Sequence, residues 1–444
     1  MNRRTFLKAS SAVAGSCMFS TFAIGKSGES ANSRLNVAFI GLGSQGKTNL
    51  KGLADLVNVV GLCDVNSKTY RKIPESMASV PRFKDCRVML DKLDKDIDAV
   101  VVSTPDHAHY WPAYMAMERG KHLFLEKPLA HTVWEARKLK EAAQTFKIIT
   151  ASGNFGRASD GIRRLKEWVD AGVLGDVREV HGVLQPPRDR INQKGWTLCP
   201  ESEPPAGFDW DLWLGSNPQV GFRRCYVGWR PWWEYGSGLI GDWGPHTLDG
   251  ANYALDMGAP MAVQSEVAQD FSNGQRIPNW SHTILEYPAR GKKAPMKVHW
   301  YSGGKQPENK ALTIPKGGSC LLLVGDKHTL KADLRSSARR ITTMNEDEWL
   351  DFRKNMPPKT IPRIKGGYHK EWVDAITNGG PLPGTNFNET GPFTEALMLA
   401  ALSERRGKGK RIEWDAENLR VTNDDQLNEF INLPARKGFD MGRS

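Results

Sequence analysis

The chain has 444 residues, 39% hydrophobic and 25% charged, with a net charge of +11. That length allows two or three domains, and the balance is that of a globular chain with a sizeable core, which excludes collagen, coiled coil and bulk disorder. No uncharged stretch approaches the ~20 apolar residues of a membrane span, and the excess of Lys and Arg is spread along the chain rather than clustered as a nucleic-acid footprint would be, so neither a membrane span nor a nucleic-acid partner is expected.

Residues 1–26 are expected to be an address. Arg3 and Arg4 precede Phe6-Leu7-Lys8 and a weak apolar run rich in Ala, Ser and Gly, which is a charged n-region followed by a short h-region. The pattern resembles a bacterial twin-arginine export signal and predicts a periplasmic protein. A cut after Thr21-Phe22-Ala23 is one processing site. A poor lipoprotein box ending at Cys17 is the alternative. The other five cysteines lie far apart with no CxxC, so a zinc or redox motif is not expected and no metal is predicted. A Cys199–Cys225 bridge is open in an oxidising compartment, and spacing alone does not decide it.

A first domain is expected over 34–155. Leu35–Ile40 is a short apolar strand, Gly41-Leu42-Gly43-Ser44-Gln45-Gly46 follows at once, Lys47–Leu56 is helical, and Val57–Cys63 is a strand ending at Asp64. GxGxxG at a strand-to-helix turn is a dinucleotide fingerprint. Gly41 permits the tight turn, Gly43 the approach of a pyrophosphate, and Gly46 close helix–strand packing. The helix N-terminus offers N–H groups to phosphate. Asp64 is placed for the ribose hydroxyls and would repel a 2′-phosphate, so NAD is expected over NADP. Lys68 and Arg71 are expected at the surface.

The alternation continues. Strands are predicted at Ile97–Thr104, His122–Leu125 and Lys147–Thr150, with helices at Asp106–Arg119 and Thr132–Phe146. Such alternation predicts a parallel, doubly wound sheet with ligands beyond the strand C-termini. Pro105, Glu126, Lys127 and Asn154 sit at such ends. His107 and His109 open a helix, where capping or packing is the simplest use. Lys127, beside Pro128, could hydrogen-bond a substrate hydroxyl and lower its pKa.

A second unit is expected over 156–440. Arg157–Gly172 is predicted helical and Val177–Leu184 a strand, followed by a Pro- and Arg-rich loop over 185–207. In Gly241-Asp242-Trp243-Gly244-Pro245-His246, a helix starting near Asp242 would put Asp242, His246 and Asp249 on one side, with Pro245 in the first turn. A carboxylate beside an imidazole can orient a general base. A helix cap and an interior histidine are the plainer uses of the same pair. Trp229, Trp232, Trp233 and Tyr235 with Arg230 either pack in the core or stack on sugar C–H faces.

Together, GLGSQG, Thr104-Pro105…His109, Glu126-Lys127-Pro128 and GxGxxGDWGPH resemble the Gfo/Idh/MocA family of glucose–fructose oxidoreductase and inositol dehydrogenase relatives. The resemblance implies an α/β protein. An N-terminal Rossmann domain would be followed by a C-terminal α/β domain with an open, mostly antiparallel sheet, whose outer face pairs subunits into a homo-oligomer. It implies NAD held by Gly41, Gly43, Ser44, Gln45, Gly46, Asp64, Thr104, Pro105, His109, Glu126 and Lys127. Lys127, Asp242 and His246 would be catalytic, His246 serving as acid/base and Asp242 assisting it. Asn154, Trp229, Arg230, Trp232 and Trp233 are the expected substrate contacts. The expected activity is hydride transfer to or from a sugar or polyol. An NAD-dependent glycosidase acting through transient C3 oxidation, and a sugar-binding protein without turnover, are the alternatives.

Overall fold

The computed structural model describes residues 34–185, 198–268, 274–314, 319–333, 340–343 and 345–443. The expected export signal and Cys17 lie outside the described residues, as do residues 186–197 of the loop expected over 185–207.

Six short strands, β1 (Asn36–Ile40), β2 (Asn58–Cys63), β3 (Arg82–Phe83), β4 (Ala99–Val102), β5 (His122–Leu125) and β6 (Thr150–Ser152), form a parallel sheet in the order β3-β2-β1-β4-β5-β6. This is the doubly wound dinucleotide-binding order. The central β4, Ala-Val-Val-Val, is buried throughout, as a strand covered on both faces must be. Helices α1 (Ser44–Leu53), α2 (Cys86–Lys92), α3 (Tyr110–Glu118) and α4 (Val133–Thr145) connect the strands. Thr132 caps α4 by accepting from Glu135 N.

The chain then builds a second layer with α5 (Asp160–Asp170), β7 (Val177–Val183), α6 (Trp210–Leu214), α7 (Gly238–Thr247) and α8 (Asp249–Leu255). Strands β8 (Ala262–Val267), β9 (Ser281–Tyr287), β10 (Met296–Ser302), β11 (Cys320–Gly325), β12 (Thr329–Asp333) and β13 (Ile341–Thr343) follow. Helices α9 (Glu346–Phe352), α10 (Gly367–Asn378) and α11 (Phe387–Arg406) lead to β14 (Ile412–Asp415) and β15 (Arg420–Val421). The nine strands form one sheet in the order β13-β12-β11-β7-β10-β9-β8-β14-β15, antiparallel except where β7 meets β10. Strand β9 alternates buried and half-buried residues, as a sheet with one covered face requires. Val180, Leu285, Val298, Trp300 and Leu321 pack against α5, α7, α8 and α11. The opposite face carries a run of rings, with His181 stacked on His299 at 4.7 Å and His282 on Tyr301 at 4.4 Å.

The second expected unit does not keep to itself. Trp372 and Val373 of α10 join the core formed by Val37, Phe39, Val101 and Phe124 on one face of the first sheet. Helix α10 thus covers the sheet beside α1, with His369 Nε2 3.1 Å from Asn49 Oδ1. Because the two units share this core, the wall that α7 presents is held firmly against the strand ends of the first sheet.

Candidate active site

At the first turn, Gly41 adopts φ +84° and a Cβ there would stand 2.6 Å from the Ser103 carbonyl oxygen. A Cβ at Gly46 would lie 2.0 Å from the Gly41 carbonyl oxygen, whereas one at Gly43 would meet nothing within 4 Å. Gly41 and Gly46 therefore serve the turn itself, and Gly43 faces open space at the start of α1, which no side chain caps. Such a turn suits a dinucleotide pyrophosphate, with the first N–H groups of α1 turned to it. Asp64, at the end of β2, braces the turn by accepting from Leu42 N at 2.7 Å and Asn66 N at 2.8 Å. A carboxylate at this strand end can also accept from a ribose hydroxyl. Lys68 and Arg71 are exposed. The residues present therefore fit NAD.

Beyond the strand ends lies a cavity of about 360 Å³ lined by Gln45, Ser103, Thr104, Asp106, Glu126, Lys127, Trp229, Arg230, Asp242, Trp243 and His246. It unites the ends of β4 and β5 with one side of α7. Lys127 Nζ donates to Asp242 Oδ1 at 2.6 Å and to the Asp242 carbonyl oxygen at 2.8 Å. Arg230 Nε donates to Asp242 Oδ2 at 3.2 Å. Burial acts to raise the Asp242 carboxyl, but the charges of Lys127 and Arg230 and the Lys127 hydrogen bond outweigh it and hold it well below the usual carboxylate range. His246 is half-buried, 5.2 Å from the Phe155 ring and 5.7 Å from the Trp243 ring.

Several expected roles change. Helix α7 begins at Gly238, four residues before Asp242, so Asp242 does not cap it and Pro245 stands inside it. The i, i+4 pairing of Asp242 and His246 survives, because both still line the cavity. Asp249 does not join them. A second helix starts there, and its carboxylate is buried against Arg157. Trp232 and Trp233 are 1% and 4% exposed and belong to cores, which leaves Trp229 as the tryptophan of that run that lines the cavity, beside Arg230. The position of Trp232 follows from Trp210, Trp213, Phe222 and Tyr235, which form a separate small core around it. Asn154 is buried behind the site, with Ser152 Oγ donating to its Oδ1 at 3.1 Å, and does not line the cavity. His109 braces rather than binds. Its ring nitrogens lie 2.7 Å from the Pro128 carbonyl oxygen and 2.8 Å from that of Thr104, linking the ends of β4 and β5. His107 is likewise structural, 2.8 Å from the Trp213 carbonyl oxygen. Glu126 lines the cavity and also accepts from Asn49 Nδ2 at 2.8 Å, tying α1 to β5.

Three cavity residues, Ser103, Asp106 and Trp243, lie outside the expected site set. Ser103 falls inside a predicted strand, and Trp243 carries no signal of its own between Asp242 and His246. Asp106 was assigned only to a helix start, and its position directly after Thr104-Pro105 was the available signal. Ser237 donates to Asp106 Oδ2 through its N at 3.2 Å and its Oγ at 2.5 Å. Burial and the Asp242 charge push the Asp106 carboxyl up to about 7. A carboxyl raised in the folded state binds a proton that the unfolded chain has already lost, so this group costs stability as pH rises from the ordinary carboxylate range to about 7, and the cost is constant above that. Asp106→Asn is therefore expected to leave stability unchanged near pH 4 and to raise it above pH 7, by on the order of 2–4 kcal/mol. Thermal melts of both proteins across that range check it. A difference that is flat with pH would refute the raised carboxyl.

A dinucleotide turn, a lysine–carboxylate pair and a neighbouring histidine around one cavity define an NAD-binding oxidoreductase of the two-domain kind. The chain belongs to the Gfo/Idh/MocA oxidoreductase family. Residues 35–153 match its NAD-binding Rossmann fold and residues 160–297 its C-terminal α/β domain. Inositol 2-dehydrogenase of Salmonella typhimurium is 29% identical over 153 residues, 33% of this chain and 45% of that protein. Levoglucosan dehydrogenase of Pseudarthrobacter phenanthrenivorans is 26% identical over 233 residues, 50% of this chain and 51% of that protein. The chain thus spans about half the length of these relatives. In fold it is similar to an inositol dehydrogenase homologue from Azotobacter vinelandii solved with NADH and myo-inositol, at a TM-score of 0.58 and 16% identity, covering 86% of this chain and 98% of that one. It is likewise similar to the WlbA dehydrogenase of Bordetella pertussis solved with NADH and UDP-GlcNAcA, at a TM-score of 0.58 and 16% identity, covering 86% and 99%.

Proposed function

We propose that this protein is an NAD-dependent dehydrogenase of a sugar or polyol hydroxyl. The observation that carries the reading is the single cavity in which Lys127, Asp242 and His246 face the strand ends of the dinucleotide-binding sheet. Bound NAD supplies the hydride acceptor. Gly43 and the start of α1 hold its pyrophosphate, and Asp64 its ribose. Lys127 donates a hydrogen bond to the reacting hydroxyl and stabilises the oxyanion that develops as the proton leaves. Asp242 holds the Lys127 ammonium in place through two contacts. His246 takes the carbinol proton. Trp229, with Arg230 stacked 4.3 Å over its ring, offers an apolar face and a cation to a hydroxyl-rich ring.

The twin-arginine pattern supports export to the periplasm, where free dinucleotide is scarce. The reading therefore includes NAD(H) retained through purification. The ring-covered outer face of the second sheet supports pairing of subunits there.

The experiment incubates the protein with NAD and a panel of monosaccharides, polyols and aryl glycosides, following NADH absorbance and aglycone release together. NADH formation on at least one polyol or sugar, without aglycone release, is expected. Aglycone release without net NADH would replace this reading with the glycosidase. No reaction on any compound, with binding retained, would replace it with a sugar-binding protein.

The two tryptophan environments make a paired prediction. Trp229→Ala is expected to cost about 1–3 kcal/mol of sugar affinity while leaving NAD binding and stability intact. Trp232→Ala removes a buried ring that also donates to the Cys225 carbonyl oxygen at 3.1 Å, and is expected to cost about 3–5 kcal/mol of stability. Melts beside sugar titrations separate them. Equal loss of stability in both variants would remove Trp229 from the binding wall.

A further inference from the structure

Cys199 and Cys225 stand outside the site just described, on the segment that leads into its wall. Two stretches run side by side here. Ser202 N donates to the Phe222 carbonyl oxygen at 3.0 Å, and Arg223 Nη1 donates to the Cys199 carbonyl oxygen at 2.6 Å. Arg223 Nη2 also reaches Glu201 Oε1 at 2.9 Å. This pairing brings the two cysteines opposite one another. Cys199 N donates to Cys225 Sγ at 3.1 Å, and Cys225 N donates to Cys199 Sγ at 3.0 Å. Each sulfur therefore lies against the other residue's backbone, and the two thiols hydrogen-bond one another. Both residues are half-buried, whereas Cys63, Cys86 and Cys320 are buried in the cores.

We propose that Cys199 and Cys225 form an intrachain disulfide that straps the aromatic segment carrying the cavity wall. Backbone pairing already holds the two side chains together, so closing the bond needs a change of thiol rotamers rather than a movement of the chain. The oxidant is a small-molecule disulfide such as oxidised glutathione. Deprotonated Cys199 sulfur attacks one sulfur of the oxidant and expels one glutathione thiolate, giving a mixed disulfide. Deprotonated Cys225 sulfur then attacks Cys199 Sγ and expels the second. Two protein thiols are oxidised, one disulfide is reduced to two thiols, and the two protons pass to water and the leaving thiolates. Cys199 is the fitting first nucleophile. Burial acts to raise its thiol, but hydrogen bonds from Cys225 and the Arg223 charge outweigh this and lower it, whereas burial raises Cys225.

The closed loop contains α6 and the small aromatic core of Trp210, Trp213 and Phe222. Its last residue is tied by its carbonyl to Trp232 Nε1, and Trp229 and Arg230 lie just beyond. A link at this point restricts the unfolded chain and anchors the wall from its N-terminal side.

The test uses the full chain, equilibrated with oxidised glutathione, quenched in acid, alkylated in denaturant, digested and mapped by mass spectrometry. The peptides containing Cys199 and Cys225 are expected joined and two hydrogens lighter than their sum, with Cys63, Cys86 and Cys320 alkylated. Dithiothreitol should separate them and lower Tm by about 3–8 °C. Cys199→Ser and Cys225→Ser should each abolish both the joined peptide and the dithiothreitol-dependent shift. Full alkylation of both cysteines after oxidation, or either one joined to a different cysteine, would overturn the proposal, and this mapping on the unmodified chain decides it even if a variant folds poorly.

Discussion

Lys127→Met will lower kcat by about 10²–10⁴-fold, the range for loss of one positioned acid–base group, while leaving NAD affinity within a few-fold. The cause lies in how Lys127 is held. Its ammonium is only slightly exposed, and its two oxygen partners both belong to Asp242. In that drier setting its hydrogen bond to a developing alkoxide is stronger than it would be in water. The dinucleotide turn is built from Gly41, Gly43 and Gly46 between β1 and the first turn of α1 and does not depend on Lys127. Removal of the cation also releases the carboxyl of Asp242. Lys127 and Arg230 hold that group low against its burial, so with Lys127 gone it moves upward. Residual activity of the variant should therefore titrate at a higher pH than any carboxylate limb of the parent, because the carboxylate form still holds Arg230 at the cavity. Substrate turnover beside NAD titration checks this. A variant that keeps parental kcat but loses NAD would move Lys127 from the chemistry to the cofactor.

Arg157→Leu will destabilise the protein by about 3–5 kcal/mol, the cost of leaving one partner of a buried ion pair uncompensated. Arg157 and Asp249 are 1% and 0% exposed. Arg157 Nε donates to both Asp249 oxygens, at 3.0 and 3.1 Å, and its Nη1 donates to the Gly384 carbonyl oxygen at 3.2 Å and to Glu389 Oε2 at 3.1 Å. One guanidinium therefore joins the segment after β6, the start of α8 and the approach to α11. Leucine fills part of the volume but leaves the Asp249 carboxylate without a cation. Arg157→Leu combined with Asp249→Leu should recover part of the loss, since replacing both charges removes the desolvation penalty as well as the attraction. Denaturant melts of the two variants check it. A loss below about 1 kcal/mol would mean that the local packing, not the ion pair, holds the three segments together.

The first half of the fold was legible because its signals are local. The glycine run of 41–46 needs only its flanking strand and helix to make sense, and the buried strand Ala99–Val102 is recognisable as a continuous apolar run. Lys127, Asp242 and His246 were also legible as candidates, through a strand end and an i, i+4 spacing. The neighbours of each group were decided elsewhere. Trp229, Trp232 and Trp233 are the same residue type within five positions. One lines the cavity and two are core, because Trp210, Phe222 and Tyr235 close around Trp232, while Trp233 packs among the side chains covering the second sheet. Asp106 owes its raised carboxyl to burial and to the charge of Asp242, far along the chain, which outweigh the lowering effect of the Ser237 hydrogen bond. Asp249 was expected beside Asp242 and instead meets Arg157, because α7 stops at Thr247 and a new helix starts. The sequence by itself determined the dinucleotide turn and the residue types at the site, since these rest on backbone geometry within one strand–turn–helix unit. Only the tertiary structure decided which aromatic faces the cavity, which acid is held ionised and which is raised, because burial is set by how the aromatic residues around Trp232 close on it and charge pairing by contacts such as Lys127–Asp242, 115 residues apart.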